Sequence, residues 1–269
     1  MADTMISIED LTVDYGSNRV LDHVTLNIER GEIMVLLGGS GAGKTTLMRN
    51  IIGLEGPTSG TVKIRGVNIH RCSRRELKAI RCTMGVAFQE AALFNSMSVR
   101  ENVGLPLHEL TTLSDSVIEI MTYMKLAAVG LGEEMDRMPQ ELSGGMKKRA
   151  AVARATALDP EILLFDEPSA GLDPIVAAGL DELILFLKHA FHMTIIVVSH
   201  ELASAFKIAD RIAMLYRGSL IAVESKEAFK TSSHPRIRQF LDRVADPITE
   251  SEAVQEHFRE LAGLVGANG

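Results

Sequence analysis

Ile33-Met34-Val35-Leu36-Leu37-Gly38-Gly39-Ser40-Gly41-Ala42-Gly43-Lys44-Thr45-Thr46 is the stretch on which the fold class turns. Five consecutive apolar residues have the length of a strand buried on both faces, as strands of a parallel sheet are. The glycines end that strand in a loop, and the amphipathic run from Lys44 to Ile52 reads as a helix. Buried strand, glycine loop and helix, in that order, open an α/β unit. Gly38 to Thr45 also has the spacing G-x-x-x-x-G-K-[ST], in the strand and helix context that this phosphate-binding loop requires. Glycines let backbone N–H groups turn inward around a polyphosphate, and the helix N-terminus adds the positive end of its dipole. Lys44 is then expected at the β and γ phosphates and the Thr45 hydroxyl at a Mg²⁺ ion. A glycine-rich turn with an incidental lysine is the bland alternative, and the flanking elements argue against it.

Outward from this unit the same α/β pattern continues. From Ile6 to Ile28 apolar residues alternate with polar ones around the turn signal Tyr15-Gly16-Ser17-Asn18, which predicts short strands. Ile162 to Phe165 and Thr194 to Val198 are two more buried strands, and Val176 to Phe191 between them is helical, as a parallel sheet with crossover helices demands. Roughly Ser98 to Leu158 is rich in helix formers, with Pro106, Pro139 and Pro160 as punctuation, and reads as an inserted helical subdomain.

Composition narrows the function. The chain has 269 residues, 46% hydrophobic and 23% charged, enough to build a core and unlike a disordered chain. Its 35 acidic against 28 basic side chains give a net charge of −7, which argues against a non-specific nucleic-acid binder, since that affinity rests on many lysine and arginine contacts to phosphates. Cys72 and Cys82 are the only cysteines, too few for a disulfide framework, and are expected as reduced thiols in a cytosolic compartment. The acidic amino terminus lacks the pattern of a secretory signal, and no apolar run approaches the roughly 20 residues that span a bilayer. Thirteen scattered methionines read as core filler, and eight histidines show no zinc-ligand spacing.

Two further elements carry chemistry. Ile162-Leu163-Leu164-Phe165 ends in the carboxylates Asp166 and Glu167, the layout of a Walker B strand: Asp166 is expected to hold Mg²⁺ through water and Glu167 to polarise an attacking water. Leu142-Ser143-Gly144-Gly145-Met146 precedes a helical run from Lys147 to Leu158, so Ser143 and the glycines form a capped helix N-terminus with free N–H groups, a second anion site. Lys147, Lys148, Arg149 and Arg154 form a basic cluster on that helix, which reads as a solvated face or as charge near phosphate.

The order of these elements resembles the ATP-binding cassette proteins, over about Met5 to Ile221. The resemblance implies an α/β P-loop NTPase (RecA-like) parallel sheet with an N-terminal antiparallel β subdomain and the inserted helices, the cassette occupying 1–233. It implies ATP and Mg²⁺ as cofactors, with Gly38, Gly39, Ser40, Gly41, Ala42, Gly43, Lys44, Thr45 and Thr46 around the phosphates. Tyr15 matches the aromatic that stacks on adenine, although a half-buried strand tyrosine reads the same way. Gln89, after Val86-Ala87-Phe88, matches the glutamine that senses Mg²⁺ beside Thr45 and Asp166 and faces the membrane partner. Ser169-Ala170-Gly171-Leu172-Asp173 matches the loop that crosses between subunits. His200 matches the switch histidine at the γ phosphate, catalytic together with Glu167, and Ser143, Gly144 and Gly145 complete the ATP site of a second copy in a head-to-tail dimer.

A narrower resemblance rests on Leu142-Ser143-Gly144-Gly145-Met146-Lys147-Lys148-Arg149 and on His234-Pro235-Arg236-Ile237-Arg238-Gln239-Phe240-Leu241. Both are similar to the ATPases of Mla phospholipid-transport systems, which work with lipid-binding MCE proteins; Gly39 and Met146 stand where many cassettes have proline and glutamine. This implies an integral-membrane permease, an MCE lipid-binding protein, a small STAS-domain subunit, phospholipid cargo moved between inner and outer membranes to keep the outer membrane asymmetric, and a peripheral place on the cytoplasmic face of the inner membrane. A non-transport cassette ATPase, such as one assisting iron–sulfur assembly, is the alternative; a DNA-repair cassette lacks its coiled-coil insert and zinc cysteines here. Ala91 to Met97 is apolar and reads as a docking surface for the permease or as core of the helical insertion. In a C-terminal extension, 234–269, Pro247, the capping-box spacing of Thr249 and Glu252, and Gly266 predict an amphipathic helix from about Glu250 to Val265, expected to pack on the second cassette, with docking on its own chain as the alternative.

Overall fold

The computed structural model describes residues 3–244. The chain divides after Thr231 into two compact units. Within the described residues the second holds the short helix Pro235–Leu241, capped by the His234 side chain. The tail helix expected from about 250 to 265 lies outside the described residues.

The first unit opens with a hairpin, β1 (Thr4–Tyr15) and β2 (Asn18–Glu29), turned at Gly16 and Ser17 as the sequence predicts. Ile6, Ile8, Leu11 and Val13 of β1 are buried, with the alternation broken by an irregularity between Ile8 and Leu11 where Asp10 has φ 52°, and β4 (Ser59–Ile64) and the two-residue β5 (Val67–Asn68) complete an antiparallel sheet in the order β2-β1-β4-β5. Between the two halves of that sheet the chain makes β3 (Ile33–Leu37), every residue of it buried, and helix α1 (Lys44–Ile51).

A second sheet forms around β3. It takes in β6 (Met84–Ala87), β7 (Ile162–Asp166), β8 (Thr194–Ser199), β9 (Arg211–Tyr216) and β10 (Ser219–Ser225), ordered β10-β9-β3-β8-β7-β6. Neighbours are parallel throughout except β10, which returns antiparallel on β9. β7 and β8 are buried at every position, so their unbroken apolar runs report sandwiching between layers. The crossover from β7 to β8 is α6 (Pro174–Phe191), started by Asp173, whose carboxylate accepts the N–H groups of Ile175 and Val176.

Helix α2 (Arg74–Cys82), which the hydrophobic pattern did not announce, begins at a capping box between Ser73 and Glu76. The helical insertion contains α3 (Val99–Leu110), α4 (Asp115–Ala128), a 3-10 turn at Pro139–Glu141 and α5 (Gly144–Ala155). Leu107, Ile118 and Ala157 are buried together where these helices meet. Pro106 is a correction to the sequence reading: it lies inside α3 and marks no boundary. The capping box of Ser98 and Glu101 and the burial of Val99, Val103 and Leu107 hold the helix through one missing backbone bond.

β6 and α5 touch so closely that a Cβ at Gly85 would stand 2.1 Å from the Ala155 carbonyl oxygen. Gly85→Ala is therefore expected to destabilise the chain by about 1–3 kcal/mol, a fall in Tm of roughly 2–10 °C. Thermal unfolding checks it; an unchanged midpoint would mean that strand and helix separate at no cost.

Candidate functional site

Four adjacent parallel strands deliver the chemistry to one edge. Register pairs Leu37 with Ser199, Val198 with Asp166 and Phe165 with Ala87, so β3, β8, β7 and β6 end side by side at their carboxyl termini. In a sheet covered on both faces the charged and reactive side chains collect at or just beyond those ends.

The loop after β3 turns into α1 through Gly43, at φ 101°, where a Cβ would lie 2.6 Å from Leu21 Cδ2 and 2.9 Å from the Val20 carbonyl oxygen. Glycine alone fits there. Lys44 is 8% exposed; its Nζ donates to the carbonyls of Gly38 (2.8 Å) and Gly39 (3.0 Å) and lies 3.9 Å from Glu167 Oε1. Burial pushes the Lys44 ammonium below its ordinary range, against the pull of Glu167 and Asp166. Thr45 Oγ1 donates to Asp166 Oδ1 at 3.5 Å. Burial, then the neighbouring Glu167 charge, pushes Asp166 up.

Glu167 is held in the left-handed region at φ 48°, a conformation that costs of order 1–3 kcal/mol outside glycine. Its N–H donates to Val198 O at 2.9 Å, its carbonyl accepts from Ala170 N–H at 3.2 Å, and its Oε2 lies 2.7 Å from His200 Nδ1. Ser169 Oγ donates to Glu201 Oε2 at 2.6 Å, a second link between the ends of β7 and β8.

The structure gathers Lys44, Thr45, Asp166, Glu167 and His200 into one cluster. Gly38, Gly39, Ser40, Gly41, Ala42 and Thr46 belong to the same loop and first turn. Tyr15, half exposed, donates its hydroxyl to Glu55, which pairs with Arg49 at 3.1 Å; that bond to a carboxylate pushes the phenol up. Gln89 is exposed at the start of the connection leaving β6. Ser143 caps α5 by accepting Met146 N–H at 3.3 Å, and the closest side chains to Gly144 and Gly145 are Leu172 and Val176. No hydrogen bond among the described residues joins Ser143 to the Lys44 cluster.

The basic cluster on α5 corrects the solvated-face reading at three positions, the first being Arg149, whose Nη1 donates to the Val129 carbonyl at 3.4 Å. Arg154 donates to the carbonyls of Ala92 (2.7 Å) and Ala91 (2.9 Å), and Lys148 Nζ donates to those of Gln89 (2.6 Å) and Glu167 (3.3 Å). Asn102, fully buried, accepts Phe94 N–H and donates to the carbonyls of Phe94, Met97 and Ser98. No sequence spacing announces these contacts, because each spans tens of residues or an irregular loop.

Residues 21–170 match the family described as ABC transporter. The chain belongs to the ABC transporter family. It is 43% identical over 252 residues to the probable ribonucleotide transport ATP-binding protein mkl of Mycobacterium tuberculosis, covering 93% of this chain and 70% of that one. It is 41% identical over 242 residues to MlaF, the intermembrane phospholipid transport system ATP-binding protein of Escherichia coli K12, covering 90% of each. Among solved structures, the dimeric bacterial ABC transporter cassette MJ0796 superposes with a TM-score of 0.77 at 31% identity, covering 82% of this chain and 99% of that one. The chain is thus an ABC ATPase with the α/β P-loop fold, and ATP is its nucleotide. Among the described residues no helix is long and apolar enough to cross a membrane.

The raised Asp166 has a thermodynamic consequence. Its folded pKa exceeds the unfolded value, so the folded chain binds the proton more tightly, and stability falls as pH rises through that interval and stays reduced above it. Asp166→Asn is expected to raise the Tm of the nucleotide-free cassette at pH 7 by about 2 °C, with the gain shrinking as pH falls and the native carboxyl protonates. Differential scanning fluorimetry over a pH series reads it; a lower Tm for the variant at pH 7 would contradict the burial cost assigned to Asp166.

Proposed function

We propose that this ABC ATPase is the energy-coupling subunit of a transporter that moves phospholipid between inner and outer membranes and so maintains outer-membrane asymmetry. The observation that carries the ATPase chemistry is the convergence of Lys44, Thr45, Asp166, Glu167 and His200 beyond adjacent strand ends. Loop N–H groups and Lys44 bind the phosphates of ATP, with Tyr15 at the adenine. Thr45 Oγ1 and Asp166 Oδ1, 3.5 Å apart, are hard oxygens of the kind Mg²⁺ accepts. Mg²⁺ there would neutralise charge on the phosphates, with Gln89 as a further ligand. Glu167 orients the attacking water and takes its proton, and His200, now on Glu167, is placed to turn to the γ phosphate.

Ser143, Gly144 and Gly145 stand at the N-terminus of α5, and we assign them to the ATP site of a second copy in a head-to-tail dimer, as suits a relative of a dimeric cassette. The lipid cargo is supported by the end-to-end match with MlaF, whereas mkl extends well beyond the matched part. With the cargo come a permease, an MCE lipid-binding protein, a STAS-domain subunit and a peripheral site on the cytoplasmic face of the inner membrane. The cassette is taken as 1–233 with its helical insertion at about 98–158, followed by the extension 234–269. An iron–sulfur assembly role is disfavoured, since both named relatives serve transport.

Glu167→Gln should keep ATP affinity while turnover falls by about 100-fold or more, and Lys44→Ala should weaken both. Steady-state hydrolysis and nucleotide titration check this; near-normal turnover by the glutamine variant removes Glu167 from the mechanism. Phe94 is 50% exposed beside Phe88, Pro106 and Leu110, so we place the permease there. Phe94→Ala should release the membrane partner on co-purification while shifting the Tm of the isolated chain by less than about 2 °C. Reconstitution with labelled phospholipid or labelled ribonucleotide separates the two cargoes.

A further inference from the structure

Lys148 does something that neither its charge nor its place in the sequence assigns. It stands on the second turn of α5, the helix that Ser143 starts. Its Nζ reaches the Gln89 carbonyl at 2.6 Å and the Glu167 carbonyl at 3.3 Å, so one ammonium joins three segments: α5, the loop leaving β6, and the turn leaving β7. Both acceptors are main-chain oxygens, which an ammonium, a donor with no acceptor, satisfies without ambiguity. The Glu167 carbonyl is turned out of the sheet by the left-handed conformation of its residue and is shared between Ala170 N–H and Lys148. The carboxylates of Glu90, Glu167 and Asp166 act on the same half-buried charge.

We propose that Lys148 is a positioning residue for hydrolysis, a clip that fixes the backbone of Glu167 to that of Gln89 and makes both follow the helix that carries Ser143. It contacts main-chain atoms and no reacting group, and the inference rests on Glu167 as the residue that orients water. A displacement of α5 relative to the sheet then changes the Gln89 loop and the strained glutamate together. Hydrolysis thereby depends on the pose of the helix whose N-terminus serves the second copy.

The test uses the full chain with Lys148→Met, which keeps the length of the side chain and removes the ammonium, and Lys148→Arg, which restores a cationic donor. The methionine variant is expected to lose about tenfold or more in kcat with KM for ATP within about twofold, because the groups that bind phosphate are untouched while the glutamate is misplaced. Amide hydrogen exchange should rise in 89–92 and 167–170 together, with 146–155 unchanged, and the arginine variant should recover most of both readouts. Unchanged kcat, faster exchange in only one of the two segments, or a KM that rises with kcat intact would each overturn the clip. Glu167→Gln measured alongside keeps the two ideas apart: if it hydrolyses normally the water-orienting role fails, while paired exchange in the methionine variant still reports the mechanical link.

Discussion

Burial of the central sheet on both faces is the constraint from which the rest follows. β3, β7 and β8 expose almost nothing, so their one charged side chain, Asp166, stands at the last position of β7, and the parallel direction of the strands sends the polar residues that follow to the same edge. Lys44, Asp166 and Glu167 meet there, where water is partly excluded. Lys44 is pushed down and Asp166 up by the same desolvation. At 3.9 Å, Lys44 and Glu167 compensate one another only in part. The polyphosphate of ATP is the ligand that such a half-compensated cluster suits, and the arrangement trades stability of the free chain for it.

A second constraint ties this edge to the helical insertion. The segment from Phe88 to Met97 crosses from β6 to α3 with Ala91 and Ala92 both at positive φ, an irregular path that no backbone ladder could hold. Lys148, Arg154 and Asn102 hold it instead, each by donating to main-chain carbonyls, and Arg154 and Asn102 each bind at more than one point. Burial pushes Arg154 and Lys148 down, since both charges are drawn partly out of water. The connector is therefore rigidly attached to α5 while its apolar residues, Phe88 and Phe94, stay at the surface.

Much of this was legible in one dimension, and the reasons are local. Ile33–Leu37, Ile162–Asp166 and Thr194–Ser199 are strands because unbroken apolar runs of that length bury on both faces, and Tyr15 to Asn18 turns because of its glycine and polar residues. Ser73 and Glu76 have the spacing of a capping box, but the residues of α2 are mostly charged and offer little apolar periodicity to mark a helix. Pro106 weighs against a helix locally, while Val99, Val103 and Leu107 bury enough surface to carry α3 past it.

The sequence by itself determined the P-loop, the acidic strand end and the capped Ser143 helix, because each depends on the spacing of neighbours along the chain. Only the tertiary structure decided that His200 bonds to Glu167, that Ser169 bonds to Glu201, and that Lys148 joins Gln89 to Glu167. Those contacts depend on strand order, and the order β3-β8-β7-β6 is set by packing among distant segments. A side chain four methylenes long finds carbonyls 59 and 19 residues away only after the sheet has brought them within reach.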